Sequence, residues 1–247
     1  MIGKLKLVIS DYLYGLNFKE DDFYELRKKG FVKLSPLKDE DINNLVKEIE
    51  SLDYDDEVTS HKYPNSGDTR FFFDENNKFH SIKKLGNENI SFLSDKLKKS
   101  YASHRMSMIN VLDASKREGD FGSGEGWHCD SPFSHQLKIF TFLTNVSSEN
   151  GPLRIIPFTH SSKNKLKIHN YLRKDLSNFR YTEEEIKKLL ESDEFSIKEM
   201  TCEPGSRFLV DTRIIHAGKP INKEKRIAVT DYYFKNINEK DIFKKSI

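Results

Sequence analysis

Residues 127–156, WHCDSPFSHQLKIFTFLTNVSSENGPLRII, contain three short runs that have the composition of β-strands. The runs cover residues 127–131, 137–144 and 153–156 and are rich in aromatic and β-branched residues, whereas Pro, Asn and Gly lie between them. Short strands separated by such turn residues are typical of sandwiches and barrels. This stretch therefore predicts a β-sheet core.

The same pattern continues on both sides of this stretch. Further strands are predicted at residues 31–34, 106–112, 207–210, 214–216 and 226–234. Apolar residues at helical spacing predict helices at residues 37–52, about 87–100 and about 183–190, and Thr182 is placed to cap the last of these. The predicted fold is mainly β, a double-sheet jelly roll with helices in the N-terminal part.

Length and composition indicate a single folded domain. The chain has 247 residues, and we expect a helical portion over about 1–105 and a jelly-roll core over about 106–236. Its 18 Phe and 10 Tyr residues supply the apolar surface that a disordered chain lacks. The net charge is only +2, and no stretch combines clustered Lys and Arg with aromatic residues, so we expect no nucleic-acid partner.

Cysteine content and the N-terminal sequence bear on location. Cys129 and Cys202 are the only cysteines, too few for a disulfide framework, and they suit a reducing compartment. The start, MIGKLKLVIS, is too short and too charged for the apolar region of a signal peptide. No window approaches the roughly 18 apolar residues of a membrane span. We therefore expect a cytoplasmic protein that is not exported.

Three residues in the predicted strands have the side chains of a metal site. His128 and Asp130 are separated by one residue, and because side chains alternate along a strand, both can point to one side while Cys129 points away. His216, in DTRIIHAGKP, can add a third ligand from a neighbouring strand. Two imidazoles and one carboxylate are the ligands of non-heme Fe(II) oxygenases, in which the remaining positions stay open.

A His-x-Asp pair alone is weak support for a metal site, because both residues can be surface polar groups. Arg226 makes the metal site more specific. It follows His216 by ten positions, on a predicted strand whose alternate residues share its face. Its guanidinium can hold the distal carboxylate of a cosubstrate that chelates the metal at its other end. The alternative role for Arg226 is a surface ion pair.

These motifs resemble the phytanoyl-CoA dioxygenase-like (PhyH) family of Fe(II)- and 2-oxoglutarate-dependent oxygenases. The resemblance rests on WHCD at residues 127–130, ENGPLRIIPFTH at 149–160 and DTRIIHAGKPINKEKRIAVTDYY at 211–233. It covers residues 106–234 closely and residues 31–52 loosely. The implied fold is a double-stranded β-helix of the jelly-roll or cupin-like kind, flanked by N-terminal α-helices.

The resemblance also implies roles for particular residues. His128, Asp130 and His216 would bind Fe(II), and Arg226 would anchor the C5 carboxylate of 2-oxoglutarate. Two further positions match residues that line the cosubstrate pocket of the family, Phe140 and Asn110. Gly218 stands where family members often have a hydroxyl residue that contacts the cosubstrate, and Phe158-Thr159 replaces Gly-Ser before His160, which we interpret as a structural residue.

The implied reaction is hydroxylation of an unactivated C–H bond of a small or carrier-linked metabolite, with O₂ as oxidant and conversion of 2-oxoglutarate to succinate and CO₂. Asp130 favours hydroxylation over halogenation, because related halogenases have a small residue at that position. The same iron chemistry can also end in desaturation, cyclisation or epimerisation.

Two alternatives from other classes fit the same residues. One is a non-catalytic jelly-roll module that binds a ligand. The other is a Zn(II) hydrolase, for which no carboxylate is evidently placed as the base that activates water. The sequence does not identify the substrate or the oligomeric state. Candidate anion-binding residues are Arg70, Arg180 and Arg213, and candidate pocket walls are Phe71, Phe72, Phe73 and Trp127.

Overall fold

Two antiparallel β-sheets form the core of the protein. The structure is a computed structural model, and it describes residues 23–52, 59–73, 79–96, 105–130 and 136–234. Residue 131 of one predicted strand, residues 97–100 of one predicted helix and the segment MIGKLKLVIS lie outside the described residues. The strands, in chain order, are β1 (Phe31–Leu34), β2 (Thr59–Tyr63), β3 (Asp68–Phe73), β4 (Arg105–Asp113), β5 (Trp127–His128), β6 (Gln136–Phe142), β7 (Leu153–Ile156), β8 (Arg180–Tyr181), β9 (Lys198–Glu199), β10 (Arg207–Asp211), β11 (Ile215–Gly218) and β12 (Lys225–Phe234).

The two sheets share the strands unequally. The larger sheet has seven strands in the order β1-β10-β6-β12-β4-β3-β2, and the smaller has five in the order β8-β5-β11-β7-β9. Neighbouring strands are mostly distant in sequence; for example, Phe31 of β1 pairs with Val210 of β10. This arrangement is the predicted double-stranded β-helix. The described helices are α1 (Tyr24–Lys29), α2 (Asp39–Glu50), α3 (His80–Lys96), α4 (Ser162–Leu172) and α5 (Glu183–Leu190).

The larger sheet has two chemically different faces, because side chains alternate along each strand. Its outer face is apolar and packs against α2 and α3, with Phe71, Ile109 and Val229 in one buried cluster with Leu45 and Ile82. Its inner face packs against the smaller sheet through a second apolar cluster, which contains residues of both sheets. The inner face also carries polar and charged side chains, and these line the candidate site.

Helices α2 and α5 lie where the sequence predicts them. Thr182 caps α5 in a capping box, because its hydroxyl accepts from the Glu185 amide while the Glu185 carboxylate accepts from the Thr182 amide. Helix α3 begins seven residues before the predicted start at residue 87. The carboxylate of Glu48, on α2, accepts from the amides of Ser81 and Ile82 at 2.8 to 3.1 Å. This cap comes from another helix, so the local sequence does not reveal it.

Besides the predicted helices and strand β1, the N-terminal portion contains two strands that the sequence did not predict. Strands β2 and β3 form a hairpin that pairs with β4 and extends the larger sheet at its edge. Helices α1 and α4 and the two-residue strands β8 and β9 are further elements that the sequence did not predict. The short strands contain too few residues for an alternating pattern. No helix in the described residues is long and apolar enough to cross a membrane.

Candidate metal centre

Three candidate ligands meet on the smaller sheet. His128 on β5 and His216 on β11 are directly opposite each other in the antiparallel register, and their ring centroids are 4.4 Å apart. Asp130 follows β5, and its backbone amide donates to the Thr212 carbonyl at 3.1 Å. One potential ligand atom from each of the three residues lies within 4.8 Å of the others. The register of β5 and β11 therefore brings His216 next to His128 and Asp130, which precede it by 88 and 86 positions.

Both imidazoles are held in the same tautomer by the backbone. His128 Nδ1 donates to the carbonyl of Gly126, and His216 Nδ1 donates to the carbonyl of Ile214, each at 2.9 Å. Because a carbonyl only accepts, the proton lies on Nδ1 and each Nε2 presents a lone pair. Burial and the neighbouring His128 lower the pKa of His216 to about 3, so this ring is neutral.

Asp130 presents its carboxylate to both imidazoles. Oδ1 lies 3.5 Å from His128 Nε2, and Oδ2 lies 3.8 Å from His216 Nε2. Burial alone would raise the pKa of Asp130, but the ammonium of Lys138 and the two imidazoles hold it well below its usual range. Lys138 Nζ lies 2.5 Å from Oδ2 as an ion pair, while Oδ2 accepts no well-oriented hydrogen bond within the described residues.

This cluster fits a divalent metal ion. Two imidazole lone pairs and an ionised carboxylate oxygen converge, and none of these three atoms is used by a hydrogen bond of good geometry among the described residues. Structural zinc sites are closed by four protein ligands. Three ligands on one side of an ion instead leave positions open for a chelating cosubstrate and a gas molecule.

Arg226 lies across from the cluster, on the inner face of the larger sheet. Its side chain is buried and donates to the Gly151 carbonyl and to Asn110 Oδ1, whereas its Nε has no partner among the described residues. Burial lowers the pKa of Arg226 to about 10. No described carboxylate pairs with this guanidinium directly, so its surroundings fit the carboxylate of a bound ligand.

Asn110 connects Arg226 to a second buried ion pair. The Asn110 amide donates to Asp68 Oδ1, and Arg70 Nε donates to Asp68 Oδ2 at 2.8 Å. The hydroxyl of Ser123 also donates to Asp68 Oδ2, at 2.8 Å. Asn110 therefore fixes the position of the guanidinium, and its own amide is oriented by Asp68.

Close packing explains why position 218 is a glycine. The Gly218 amide donates to the Ser123 carbonyl at 3.1 Å, and a Cβ atom built at Gly218 would lie 2.5 Å from that oxygen. The loop that precedes β5 therefore packs directly on β11, and only glycine allows this approach. The hydroxyl of Ser123 lies 3.5 Å from Asn110 Nδ2.

Phe140 is half-buried on the inner face of the larger sheet, on β6. It pairs in register with Thr230 of β12, and its ring stacks near that of Phe142 with centroids 6.5 Å apart. The alternation on β12 places Thr230 and Arg226 on the same face. The side chain of Phe140 therefore lies on the face that carries Arg226.

The structure gives other positions to the remaining candidates. Arg213 is buried and paired with Asp211, and Arg70 is paired with Asp68, so neither has an unbalanced charge. Arg180 donates to two loop carbonyls, those of residues 124 and 125. The proposed pocket walls at positions 71, 73 and 127 are instead buried in hydrophobic clusters, with Phe71 and Phe73 under the helices and Trp127 beside α4 and α5.

Lys138 is a site residue that the sequence reasoning missed. It is 7% exposed and contacts both Asp130 and the ring of Tyr232. The signal was present in the sequence, because Lys138 precedes Phe140 by two positions in a predicted strand and so shares its inward face.

Solved structures with this fold include several iron- and 2-oxoglutarate-dependent enzymes. EctD from S. alaskensis with 2-oxoglutarate and 5-hydroxyectoine has a TM-score of 0.60 at 17% identity, covering 87% of this chain and 76% of its own. The epimerase SnoN in complex with Fe³⁺, alpha ketoglutarate and nogalamycin RO has a TM-score of 0.57 at 13% identity, with 85% and 81% covered. The carbocyclase SnoK from nogalamycin biosynthesis has a TM-score of 0.57 at 13% identity, with 92% and 91% covered.

Fold and site together define the class of iron- and 2-oxoglutarate-dependent oxygenase-type enzymes. The family model for phytanoyl-CoA dioxygenase (PhyH) matches residues 26–228, and the chain belongs to this family. Its cofactors are those of the class, iron and 2-oxoglutarate, and the His-Asp-His cluster fits the metal. No curated protein is similar in sequence.

Proposed function

We propose that this enzyme hydroxylates an unactivated C–H bond of a small or carrier-linked metabolite. O₂ is the oxidant, and 2-oxoglutarate is converted to succinate and CO₂. The observation that carries the proposal is the cluster of His128, Asp130 and His216, whose ligand atoms lie within 4.8 Å of one another opposite the buried Arg226.

Each residue has a proposed task. His128, Asp130 and His216 hold the iron, which supplies the oxidative chemistry when it is bound. Arg226 binds the C5 carboxylate of 2-oxoglutarate, and Asn110 orients the guanidinium. The ring of Phe140 lines the cosubstrate pocket and excludes water from it. No protein acid or base is needed at the reacting carbon, so we assign none.

Hydroxylation is the favoured outcome among those open to this chemistry. Asp130 is a carboxylate that contacts both imidazoles, so the ligand position that halogenation requires to be vacant is filled. Epimerases and carbocyclases share the fold. The choice among these outcomes depends on where the substrate carbon is held and not on the metal ligands.

Isotope labelling tests the proposal. Purified protein with Fe(II), 2-oxoglutarate and a metabolite panel under ¹⁸O₂ should release succinate that carries one labelled oxygen, in a substrate-dependent manner. A hydroxylated product carries a second labelled oxygen, whereas desaturation or ring closure gives a product that has lost two hydrogens and carries no label. Absence of metabolite-stimulated succinate across the panel, with 2-oxoglutarate bound, would favour a binding module and contradict the proposal.

A further inference from the structure

Lys138 is a buried cation on the wall of the proposed metal site. Its ammonium lies 2.5 Å from Asp130 Oδ2 and 4.5 Å from the centre of the Tyr232 ring. Among the residues that the structure describes, Asp130 is the only carboxylate paired with it. A buried ammonium is unfavourable unless an anion compensates it. The balance of charge around Lys138 therefore depends on whether the Asp130 carboxylate also binds a metal ion.

The charge balance changes when the site is loaded, on the basis of the proposed function. The carboxylate of Asp130 then offsets part of the charge of a divalent metal ion, and 2-oxoglutarate brings two negative charges. Lys138 and Arg226 each bring one positive charge, and the imidazoles bring none. One positive charge is left over inside the site.

Other cations near the site do not change this balance. Arg70 and Arg213 have their own carboxylates, Asp68 and Asp211, and neither of these two carboxylates is a candidate metal ligand. The positive charge that is left uncompensated is therefore that of Lys138, because its partner, the Asp130 carboxylate, also binds the metal.

We propose that Lys138 is a specificity-determining residue that binds an acidic group of the primary substrate, a carboxylate or a phosphonate. Metal–ligand bonds are about 2 Å long, and the ammonium contacts the ligand carboxylate, so the acidic group is held within a few ångströms of the metal. The group must therefore be only a few bonds from the carbon that reacts. A carrier-linked thioester is neutral at that point, so the inference favours a small free acid.

A small phosphonate tests this inference without knowledge of the substrate. The probe is methylphosphonate, added to protein saturated with Mn(II) and 2-oxoglutarate, and the readout is the paramagnetic relaxation of its ³¹P nucleus. We expect saturable relaxation enhancement for the wild-type protein. Dimethyl methylphosphonate, which is neutral, should show none.

Variants assign the effect to the ammonium. Lys138→Met keeps the length of the side chain and should weaken methylphosphonate binding by about tenfold or more, as expected for loss of one charged hydrogen bond. Lys138→Arg should retain most of the binding. Lys174→Met is the matched control, because the Lys174 side chain is only 7% exposed, pairs with the carboxylate of Glu185 and lies over a tyrosine ring, but has no contact with Asp130. It should bind methylphosphonate like the wild type.

The outcomes separate this inference from the proposed function. Equal enhancement by the acid and its neutral diester in wild-type protein, or no enhancement by either, would overturn the inference even if Lys138→Met failed to fold. Undiminished binding in a folded Lys138→Met protein would do the same, because the anion would then bind elsewhere. The proposed function is tested independently by whether Fe(II) and 2-oxoglutarate bind together, which none of these outcomes decides.

Discussion

Single backbone carbonyls decide how the two imidazoles can act. The carbonyls of Gly126 and Ile214 each accept a hydrogen bond from Nδ1 of the histidine two residues later. The lone pairs of both Nε2 atoms are thereby directed to the cluster before any metal arrives. Such pre-orientation reduces the entropy that a metal ion must overcome on binding.

Arg226 offers the sharpest test of cosubstrate binding. In Arg226→Met the charge is lost while the side chain keeps a similar length, so affinity for 2-oxoglutarate should fall about 30-fold or more, or about 2 kcal/mol. Affinity for the metal should stay within about twofold, because Arg226 contacts none of the three ligands. Anaerobic calorimetric titration of metal and then of 2-oxoglutarate measures both affinities. Unchanged affinity for 2-oxoglutarate would exclude this role for Arg226.

His160 makes stability depend on pH. It is 5% exposed, and its Nε2 donates to the Arg27 carbonyl at 2.9 Å. Burial lowers its pKa, so the folded protein keeps it neutral where the unfolded chain takes up a proton. The stabilising contribution is complete above the unfolded pKa of about 6.5 and is lost as the pH falls below that value toward the folded pKa.

The free energy of unfolding of the metal-free protein should therefore be smaller at pH 5.5 than at pH 7.5. In His160→Gln this difference should shrink by up to about 1.4 kcal/mol. The pKa values of His169 and His216 are also lowered, so their contributions to the pH dependence remain in the variant. Urea denaturation at both pH values measures it. An identical difference in wild type and variant would show that His160 does not titrate in this way.

At the level of secondary structure, the elements that bear the site were predictable and several that support them were not. Short runs of aromatic and β-branched residues between turn residues predicted β4, β6, β7, β10 and β12 to within two residues at either end. The hairpin of β2 and β3 was missed, because the three consecutive residues Phe71, Phe72 and Phe73 pack on both faces of β3 and so show no alternation of apolar and polar residues.

The candidate site was predictable to a similar extent. His128, Asp130 and His216 were identifiable from spacing, and the structure brings them together; their role as iron ligands stays a prediction. The contribution of Asp68 and Ser123 was not visible, because it depends on contacts across 42 to 55 positions of sequence. The single-domain organisation and the cytoplasmic location also stay predictions.

The glycine loop before β5 controls the position of His128. Gly124 has φ +87°, and a Cβ atom there would lie 2.8 Å from His128 Cε1. Gly205 has φ +81°, and a Cβ atom there would lie 2.7 Å from Ile42 Cδ1, away from the candidate ligands. Both positions are strained for alanine, at roughly 1 kcal/mol each, but only the first forces a side chain of the site to move.

Gly124→Ala should therefore weaken Co(II) binding about tenfold or more, whereas Gly205→Ala should lose a similar amount of stability with little change in metal affinity. Co(II) absorption titrations measure the affinity, and thermal unfolding measures the stability. Equal metal affinities in the two variants would show that the loop does not position His128.

In the whole molecule, the two sheets contribute different parts of the candidate site. The smaller sheet carries the three candidate ligands, and the larger sheet carries Arg226, Asn110, Phe140 and Lys138 on the face opposite them. A cosubstrate held at one end by the metal and at the other by Arg226 would join the two sheets. Pairings such as β1 with β10 create this arrangement, and no local sequence pattern specifies them.

The most direct measurement is an anaerobic titration of the protein with Fe(II) and then 2-oxoglutarate, followed by visible absorption. A metal-to-ligand charge-transfer band requires that 2-oxoglutarate chelate the iron through its keto acid end. We predict that the band saturates at one equivalent of each in the wild-type protein and is absent in His128→Ala and His216→Ala. A band of full intensity in either histidine variant, or none in the wild type, would contradict the assignment of this site.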